Sequence, residues 1–353
     1  MFNPSPINKH NLSCYPFEIK NKDHTKYFLS NTMRLSMIMC KQPSPMLDIT
    51  NGRHKLEILS PTLQKQKVVI VMGATGTGKS RLSIDLATRF HAEIVNSDKM
   101  QVYQGLDIVT NKITEEERCG IPHHLLGVVN PHSDFTAINF RDTALITIES
   151  ILDRHRLPII IGGSNSYIET LIDGRGFNFQ SRYECCFLWI DVSIPVLHKF
   201  VSERVDLMIE NGMVDEAIEF FNLSGDYSKG IRRSIGVSEF DKYFRNEAIL
   251  LDKKSRARLL NEAIQETKDN TCNLACRQVE KIRKLRNIKG WNIHWIDATQ
   301  VFQKRGKEAD KAWKMLVAEP SATIVRKFLY NLTDEIPANP STIRDHNLQC
   351  LMA

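Results

Sequence analysis

A glycine-rich loop at residues 73–80 carries the clearest chemical signal in the sequence. The apolar run at residues 68–72 predicts a buried strand, and the residues after Ser80 predict an amphipathic helix. Between them, Gly73-x-x-x-x-Gly78-Lys79-Ser80 is the phosphate-loop pattern, in which backbone N–H groups point at phosphate oxygens. Lys79 adds a positive charge, and Ser80 offers a hydroxyl to Mg²⁺. The predicted diphosphate- or triphosphate-binding residues are Gly73, Ala74, Thr75, Gly76, Thr77, Gly78, Lys79 and Ser80.

Polar residues also follow other predicted strands. Residues 92–98 predict a strand ending at Asp98, and residues 158–164 predict one ending in a glycine turn and Ser164. Ligands of an open parallel sheet bind at the carboxyl ends of its strands, so both residues should face the ligand of the loop. Asp191 ends a further apolar strand. It is either a magnesium ligand, as in phosphate-loop ATPases, or a cap of the next loop.

Basic residues and histidines form weaker signals. Arg233 lies in a basic turn between Gly230 and Gly236. Arginine presents a planar fork that suits phosphate oxygens, although surface charge on a connecting loop explains the turn equally well. The pair His123-His124 has no acidic or cysteine partner at metal-ligand spacing nearby, which favours a structural role.

The amino-acid composition limits which classes of protein fit this sequence. The chain has 353 residues, 42% hydrophobic and 25% charged, with a formal net charge of +6. Polyphosphate ligands explain this mildly basic balance as well as nucleic acid does. Eight irregularly spaced cysteines in a chain of this length predict free thiols in a reducing compartment. The sequence has no apolar run long enough to span a membrane.

Alternating strand and helix patterns predict an α/β fold, namely a P-loop NTPase-like parallel sheet flanked by helices, with a small helical appendage. We expect a catalytic domain at residues 66–300, whose helical part covers about 196–286. Residues 1–65 predict a disordered leader or organellar transit peptide, because they are basic, poor in acids and without periodicity. Residues 301–353 predict a helical and then flexible tail.

Six segments in a fixed order resemble the isopentenyltransferase family, and within it the adenylate isopentenyltransferases of plant cytokinin synthesis. Each segment is weak alone, but their combination over roughly residues 66–300 is specific. The segments are Gly-Ala-Thr-Gly-Thr-Gly-Lys-Ser (73–80), Asn-Ser-Asp-Lys-Met-Gln-Val-Tyr-Gln-Gly-Leu-Asp-Ile-Val-Thr-Asn-Lys (96–112), Pro-His-His-Leu-Leu-Gly (122–127), Gly-Gly-Ser-Asn-Ser-Tyr (162–167), Ile-Arg-Arg-Ser-Ile-Gly (231–236) and Leu-Ala-Cys-Arg-Gln (274–278).

This resemblance implies an activity and a set of roles. The loop would bind dimethylallyl diphosphate, and the acceptor would be the N6 amine of adenine in ADP, ATP or AMP. Asp98 matches the general base of the family. Lys79, Mg²⁺ on Ser80, Ser164 and Arg233 would stabilise the leaving diphosphate. Lys99, next to the base, is a candidate partner of the nucleotide phosphates.

Two alternatives remain at this stage. The tRNA-modifying branch shares these motifs, but its bacterial members carry a helical insertion for which the roughly 20 residues between Tyr167 and Phe187 leave no room. The zinc finger that eukaryotic members add near the C-terminus has no counterpart in the cysteine and histidine spacing here. The alternative from a different functional class is a phosphate-loop kinase or a nucleotide-dependent switch protein. Free adenylate is therefore the expected acceptor, with no stable nucleic acid partner and a monomeric state.

Segments at the two ends of the chain predict where in the cell the protein is located. The leader predicts a chloroplast or other plastid location. The last residues, Cys350-Leu351-Met352-Ala353, fit a prenylation box whose alanine ending is associated with farnesyl. Farnesyltransferase is thus a candidate partner at Cys350, which would create a farnesylated cytosolic or nuclear pool.

Overall fold

The computed structural model describes residues 65–174, 178–247 and 252–332. Within these residues, six strands form one parallel sheet in the order β3-β2-β4-β1-β5-β6. The central strand β1 is buried from Val68 onward because helices cover both of its faces. The strands are β1 (Gln66–Gly73), β2 (Ala92–Asn96), β3 (His123–His124), β4 (Leu157–Gly162), β5 (Tyr183–Asp191) and β6 (Ile293–Asp297).

The described residues also contain eleven α-helices, a 3₁₀ helix at Gly230–Arg233 and a π-helical segment at Lys314–Ala318. Their spacing confirms the alternation of strands and helices expected of an α/β fold. The helices are α1 (Lys79–Phe90), α2 (Ala137–Asp153), α3 (Asn165–Asp173), α4 (Phe179–Arg182), α5 (Ile194–Glu210), α6 (Met213–Glu219), α7 (Asp241–Glu247), α8 (Lys253–Asn287), α9 (Thr299–Phe302), α10 (Gly306–Trp313) and α11 (Glu319–Tyr330).

Local sequence explains where several of these helices begin. Thr136 caps α2, since its hydroxyl accepts a hydrogen bond from the Asn139 N–H and its own N–H donates one to the Asn139 side-chain oxygen. The Asp252 side chain accepts from two backbone N–H groups at the start of α8. Helix α1 instead begins at Gly78 without a side-chain cap, so its first N–H groups stay directed toward the phosphate loop.

Strand register sets the edge at which the site forms. Met72 of β1 lies beside Gly162 of β4 on one side and Trp189 of β5 on the other. Asn96, the last residue of β2, pairs with Ile161 of β4. The carboxyl ends of β1, β2 and β4 therefore lie level, and the residues that follow them share one edge of the sheet.

The described residues contain two hydrophobic cores. The larger lies around the sheet and includes Val68–Met72 and the residues Ala275, Val279 and Ile282 of α8. The second unites the segment after Asp98 with α5, α6, α7 and the first half of α8, through residues such as Tyr103 and Phe240. This second core extends beyond the helical part predicted at about 196–286, since it also includes residues 102–109. Helix α8, about 50 Å long at 1.5 Å per residue, contributes to both cores and connects them.

The histidine pair lies in strand β3 at the sheet edge. His123 Nδ1 is 2.8 Å from the carbonyl oxygen of Ile121, and His124 Nε2 is 2.7 Å from Glu93 Oε2. Glu93 also accepts hydrogen bonds from the Arg154 guanidinium, which holds the pKa of this carboxyl below its usual range. These contacts agree with the structural role predicted for both histidines.

Some sequence predictions concern residues outside those that the structure describes. The predicted leader falls there almost entirely, as does the prenylation box with Cys350. Among the described residues, no helix has the length and apolar character needed to cross a membrane.

Candidate active site

A cleft of about 1170 Å³ opens at the carboxyl edge of the sheet, above the phosphate loop. Its walls come from the loop, from Asp98, from helices α5 and α8, and from residues 301–313. The predicted loop residues Thr75, Gly76, Gly78, Lys79 and Ser80 all line it. The structure thus brings the predicted anion-binding loop and the predicted base into one cavity.

The loop has little room for side chains. Gly78 has φ of 89°, and a Cβ at this position would lie 2.7 Å from the ring of Trp313. Thr77 is fully buried, and its hydroxyl donates to the carbonyl oxygen of Ala74 at 3.0 Å. Backbone conformation and packing therefore both require glycine at Gly78, as the phosphate-loop pattern predicts.

Two cations share this cleft with a carboxylate. Lys79 Nζ donates to the carbonyl oxygen of Ala74 at 2.6 Å, and Arg204 Nη2 donates to Thr75 Oγ1 at 3.0 Å. Burial lowers the pKa of Lys79 to about 8 and that of Arg204 to about 10, while the negative charge of Asp98 raises both. Desolvated cations gain most from a bound anion, so this pair suits a diphosphate.

The Asp98 carboxylate is oriented by the backbone that follows it. Its Oδ1 accepts hydrogen bonds from the N–H of Met100 at 2.8 Å and of Gln101 at 3.3 Å. Both bonds use the same oxygen, so they fix the carboxylate without occupying Oδ2. A carboxylate held in this way beside a cleft can take a proton from a bound ligand.

Ser164 and Lys99 connect the ends of β4 and β2. Ser164 precedes α3, and its Oγ accepts a hydrogen bond from the Lys99 N–H at 2.9 Å. This bond ties the glycine turn after β4 to the residue beside Asp98. The side chain of Lys99 is directed elsewhere, since its Nζ lies 5.4 Å from the centre of the Tyr167 ring. Neither Ser164 nor Lys99 is among the residues that line the cleft.

Arg233 lies in the 3₁₀ helix, outside the lining of the cleft. Its guanidinium donates to the carbonyl oxygen of Gly230 and to the Tyr103 hydroxyl, each at 3.3 Å. The pKa of Tyr167 is raised to about 12, chiefly by burial and also by Tyr103 and Asp98, while the positive charge of Arg233 opposes the rise. The Arg233 guanidinium is therefore engaged by the Gly230 carbonyl and the Tyr103 hydroxyl, outside the lining of the cleft.

The matching family model is described as IPP transferase, and it covers residues 101–181 and 176–285. A chloroplastic adenylate isopentenyltransferase 3 of Arabidopsis thaliana is 56% identical, over 86% of this chain and 93% of its own length. The chain belongs to the IPP transferase family. An adenylate isopentenyltransferase of Humulus lupulus is 43% identical over 73% of this chain and 89% of its own length.

Solved structures support the same fold for this IPP transferase. A tRNA isopentenylpyrophosphate transferase of Bacillus halodurans matches with a TM-score of 0.59 and 25% identity, over 76% of this chain and all of that one. A eukaryotic dimethylallyltransferase acting on tRNA matches with a TM-score of 0.64 and 24% identity, over 76% of this chain and 81% of that one. The predicted parallel α/β fold is confirmed.

Sequence reasoning missed two residues of this IPP transferase site, Arg204 and Gln278. Buried Gln278 accepts from the Thr75 N–H through Oε1 at 2.7 Å and donates to the Gly163 carbonyl through Nε2 at 2.9 Å. It therefore joins the phosphate loop to the turn before Ser164. Its place in the segment 274–278 was a usable signal. Arg204 had none, because it interrupts the apolar periodicity of α5 as an ordinary surface residue would.

Metal-binding groups are sparse in the described part of the chain, where no three His, Cys, Asp or Glu side chains could jointly hold a metal ion. Ser80 and Asp98 nevertheless both line the cleft and carry oxygen donors. Mg²⁺ is commonly held by one or two protein oxygens together with substrate phosphates and water, so this donor set fits it. Asp191 serves another purpose, since its Oδ2 accepts from the Trp295 indole at 3.1 Å and it does not line the cleft.

Proposed function

We propose that this IPP transferase transfers the dimethylallyl group of dimethylallyl diphosphate to the N6 amine of adenine in ADP, ATP or AMP. Diphosphate is released, and the reaction is the first step of cytokinin biosynthesis. The observation that carries this proposal is that Asp98 and the phosphate loop line the same cleft. The relatives named adenylate isopentenyltransferases, matched over most of this chain, support the choice of acceptor.

Asp98 acts as the general base. The lone pair of the adenine N6 amine is delocalised into the ring, so the amine is a poor nucleophile. It becomes acidic as the new C–N bond forms, and its proton then passes to the Asp98 carboxylate. The backbone bonds to Oδ1 keep this carboxylate oriented and leave Oδ2 to receive the proton.

The loop and its cations stabilise the leaving group. The allylic C–O bond breaks as the C–N bond forms, and its electron pair stays on the departing diphosphate oxygen. Lys79, the loop N–H groups and Arg204 neutralise that charge, with Ser164 and Arg233 as further contributors after a small rearrangement of the turns that carry them. The reaction also requires that water be kept from the cation-like allyl group.

Mg²⁺ would be held by the Ser80 hydroxyl together with the diphosphate oxygens and water. When bound, it would neutralise part of the diphosphate charge. Lys99 would contact the nucleotide phosphates by turning its exposed side chain away from Tyr167.

The structure also bears on the tRNA alternative. Only the short helices α3 and α4 lie between β4 and β5 in the described residues, without the helical insertion of the bacterial tRNA branch. This observation favours a free adenylate over tRNA as the acceptor. A kinase remains the alternative from another class, because the phosphate loop by itself is common to both.

The location and modification of the chain are also proposals. Two relatives are named chloroplastic and a third mitochondrial, and a basic, acid-poor leader fits import into a plastid. Farnesylation of Cys350 would give a second pool in the cytosol or nucleus. We propose that the enzyme acts as a monomer.

The test is an alkylation assay on the full-length protein with Mg²⁺ and dimethylallyl diphosphate. AMP, ADP, ATP and an unmodified tRNA are offered separately, and N6 alkylation is followed by mass spectrometry. Product on free nucleotides and none on tRNA is the expected result. Product on tRNA alone would establish the alternative acceptor, and ATP hydrolysis without any alkylation would favour a kinase.

A further inference from the structure

Residues 299–313 form a wall of the cleft that the family match does not include, since that match ends at residue 285. Phe302, Gln303, Lys304 and Arg305 line the cleft from this segment. The sequence predicts only a helical and then flexible tail after residue 300. In the structure these four residues face the same cavity as Lys79.

Both ends of this segment are held in place. At its start, the Ala298 N–H donates to the Asp191 carbonyl at 2.8 Å, and the Ser193 N–H donates to Thr299 Oγ1 at 2.9 Å. These bonds fix the segment to the carboxyl edge of the sheet, where β6 pairs with β5.

At its other end, the Trp313 ring packs on Gly78 of the phosphate loop, and its indole N–H donates to Asp85 Oδ2 at 2.7 Å. Arg81 lies 4.7 Å from the centre of the Trp313 ring and pairs with Asp310 at 2.9 Å. The segment between these anchors therefore has a defined place beside the loop.

The chemistry of this wall is amphipathic. The rings of Phe200 and Phe302 pack edge to face with centroids 4.8 Å apart, next to the apolar side chains of Val196 and Val301. Lys304 and Arg305 follow after Gln303 and are exposed. In the part of the chain that the structure describes, neither of these two cations makes an ion pair, whereas nearby Lys199 lies 3.9 Å from Glu203.

We propose that Phe302, Lys304 and Arg305 form an entry subsite for the prenyl donor beside the phosphate loop. The two cations attract the diphosphate, and the Phe200–Phe302 pair receives the branched hydrocarbon. This inference rests on the proposed function and adds a donor-selecting role for a segment beyond the family match. An allylic diphosphate combines a short apolar group with a polyanion, which matches this pairing of aromatic rings and cations.

The location favours the donor over the nucleotide. Trp313 anchors the segment on Gly78, which is part of the loop that takes the donor diphosphate in the proposed reaction. Cations at the mouth of a cleft raise the local concentration of an anionic substrate, and salt weakens this effect. The expected signature is a donor-specific and salt-sensitive change in KM.

The experiment compares the double variant Lys304→Ala/Arg305→Ala with Lys307→Ala/Lys311→Ala in the full-length protein. The second variant removes the same charge from exposed positions on the same segment that do not line the cleft. We expect the first to raise the KM for dimethylallyl diphosphate about 5- to 20-fold at low salt, an effect that shrinks at high salt. The KM for the adenylate and kcat should stay within about twofold.

A third variant separates the apolar part of the subsite from its charge. Phe302→Ala should weaken the binding of dimethylallyl diphosphate while leaving the affinity for inorganic diphosphate unchanged, as measured by calorimetry. Lys304→Ala/Arg305→Ala should weaken the binding of both. Far-UV circular dichroism and thermal unfolding establish that each variant is folded before it is compared.

Several results would overturn the subsite. They are equal donor KM values for the two double variants, a change in adenylate KM instead of donor KM, or unaltered binding of inorganic diphosphate by Lys304→Ala/Arg305→Ala. The proposed function fails separately, if the wild-type protein alkylates no acceptor. In that case the calorimetric comparison of inorganic diphosphate binding still decides whether the two cations bind a polyphosphate.

Discussion

The two walls of the cleft are built in different ways. The phosphate loop is one continuous segment, residues 73–80, whose conformation follows from its glycines and from the strand and helix beside it. The facing wall takes Arg204 from α5, Gln278 from α8 and Lys304 from the segment after α9. In the proposed function the first wall would bind phosphate mainly through its backbone, and the second through side chains that only packing brings together.

The cations of the two walls also differ in their surroundings. Burial lowers the pKa of Lys79 and of Arg204, whereas Lys304 and Arg305 are exposed. Desolvated charges bind a partner strongly, while exposed ones act over a distance and are screened by salt. The inner cations should therefore govern the chemical step, and the outer ones the capture of substrate. The variants below test this division, from the largest expected effect to the smallest.

The largest effect should come from Asp98→Asn. The amide retains the shape of the side chain but cannot accept the N6 proton, so turnover should fall by about 10²- to 10⁴-fold while both substrates still bind. Steady-state kinetics and calorimetry measure the two properties separately. Asp134→Asn, an exposed position outside the cleft, is the matched control. Turnover within a few-fold of wild type in Asp98→Asn would show that another group takes the proton.

Arg204→Gln should have the next largest effect. Loss of a desolvated cation beside Lys79 and Thr75 should lower kcat/KM for the prenyl donor by roughly 10- to 100-fold, at about 1.4 kcal/mol for each factor of ten. Arg204→Lys keeps the charge without the planar fork and should lie in between. If Arg204→Gln matched wild type, the facing wall would have no part in stabilising the leaving group.

Gln278→Ala tests whether the facing wall also positions the loop. The change leaves the Thr75 N–H and the Gly163 carbonyl without their partner, so we expect a loss of about 1–3 kcal/mol in unfolding free energy. Donor KM should rise several-fold as the loop loosens. Gln265→Ala, an exposed glutamine on the same helix, should change neither quantity. If Gln278→Ala were as stable as wild type, the hydrogen bonds of Gln278 would not be what holds the loop in position.

Thr136→Ala gives the smallest effect and separates stability from catalysis. It removes the cap of α2, which lies away from the cleft, and should cost about 1 kcal/mol of stability in chemical denaturation. Kinetic constants for both substrates should stay unchanged at temperatures where the protein is folded. A marked loss of turnover would reveal that α2 influences the site.

The sequence predicted the wall formed by the phosphate loop, whose conformation depends on neighbouring residues in the chain. The spacing of Gly73, Gly78 and Lys79 predicted the loop, and the ends of two apolar strands predicted that Asp98 and Ser164 would lie near it. Strand register confirms that the ends of β1, β2 and β4 are level. The roles of Arg233 and Lys99 remain predictions, since in this structure their side chains bond or stack with tyrosines.

The facing wall could not be found in this way. Arg204 and Lys304 are separated from the loop by more than a hundred residues, and nothing in their own neighbourhood distinguishes them from surface cations. Their role depends on the angle at which α5 and α8 pack and on the anchoring of Trp313 against Gly78.

The sequence alone thus predicted the parallel sheet, the phosphate loop and the position of Asp98 at the end of a strand, because backbone preferences and hydrophobic periodicity act over a few neighbouring residues. The role of Asp98 as a base was implied by the family resemblance. Tertiary structure alone decided which distant cations and amides complete the cleft. Side-chain recognition of a diphosphate needs groups from separate segments within hydrogen-bond distance of the same ligand, and only the packing of separate helices on the sheet creates that proximity.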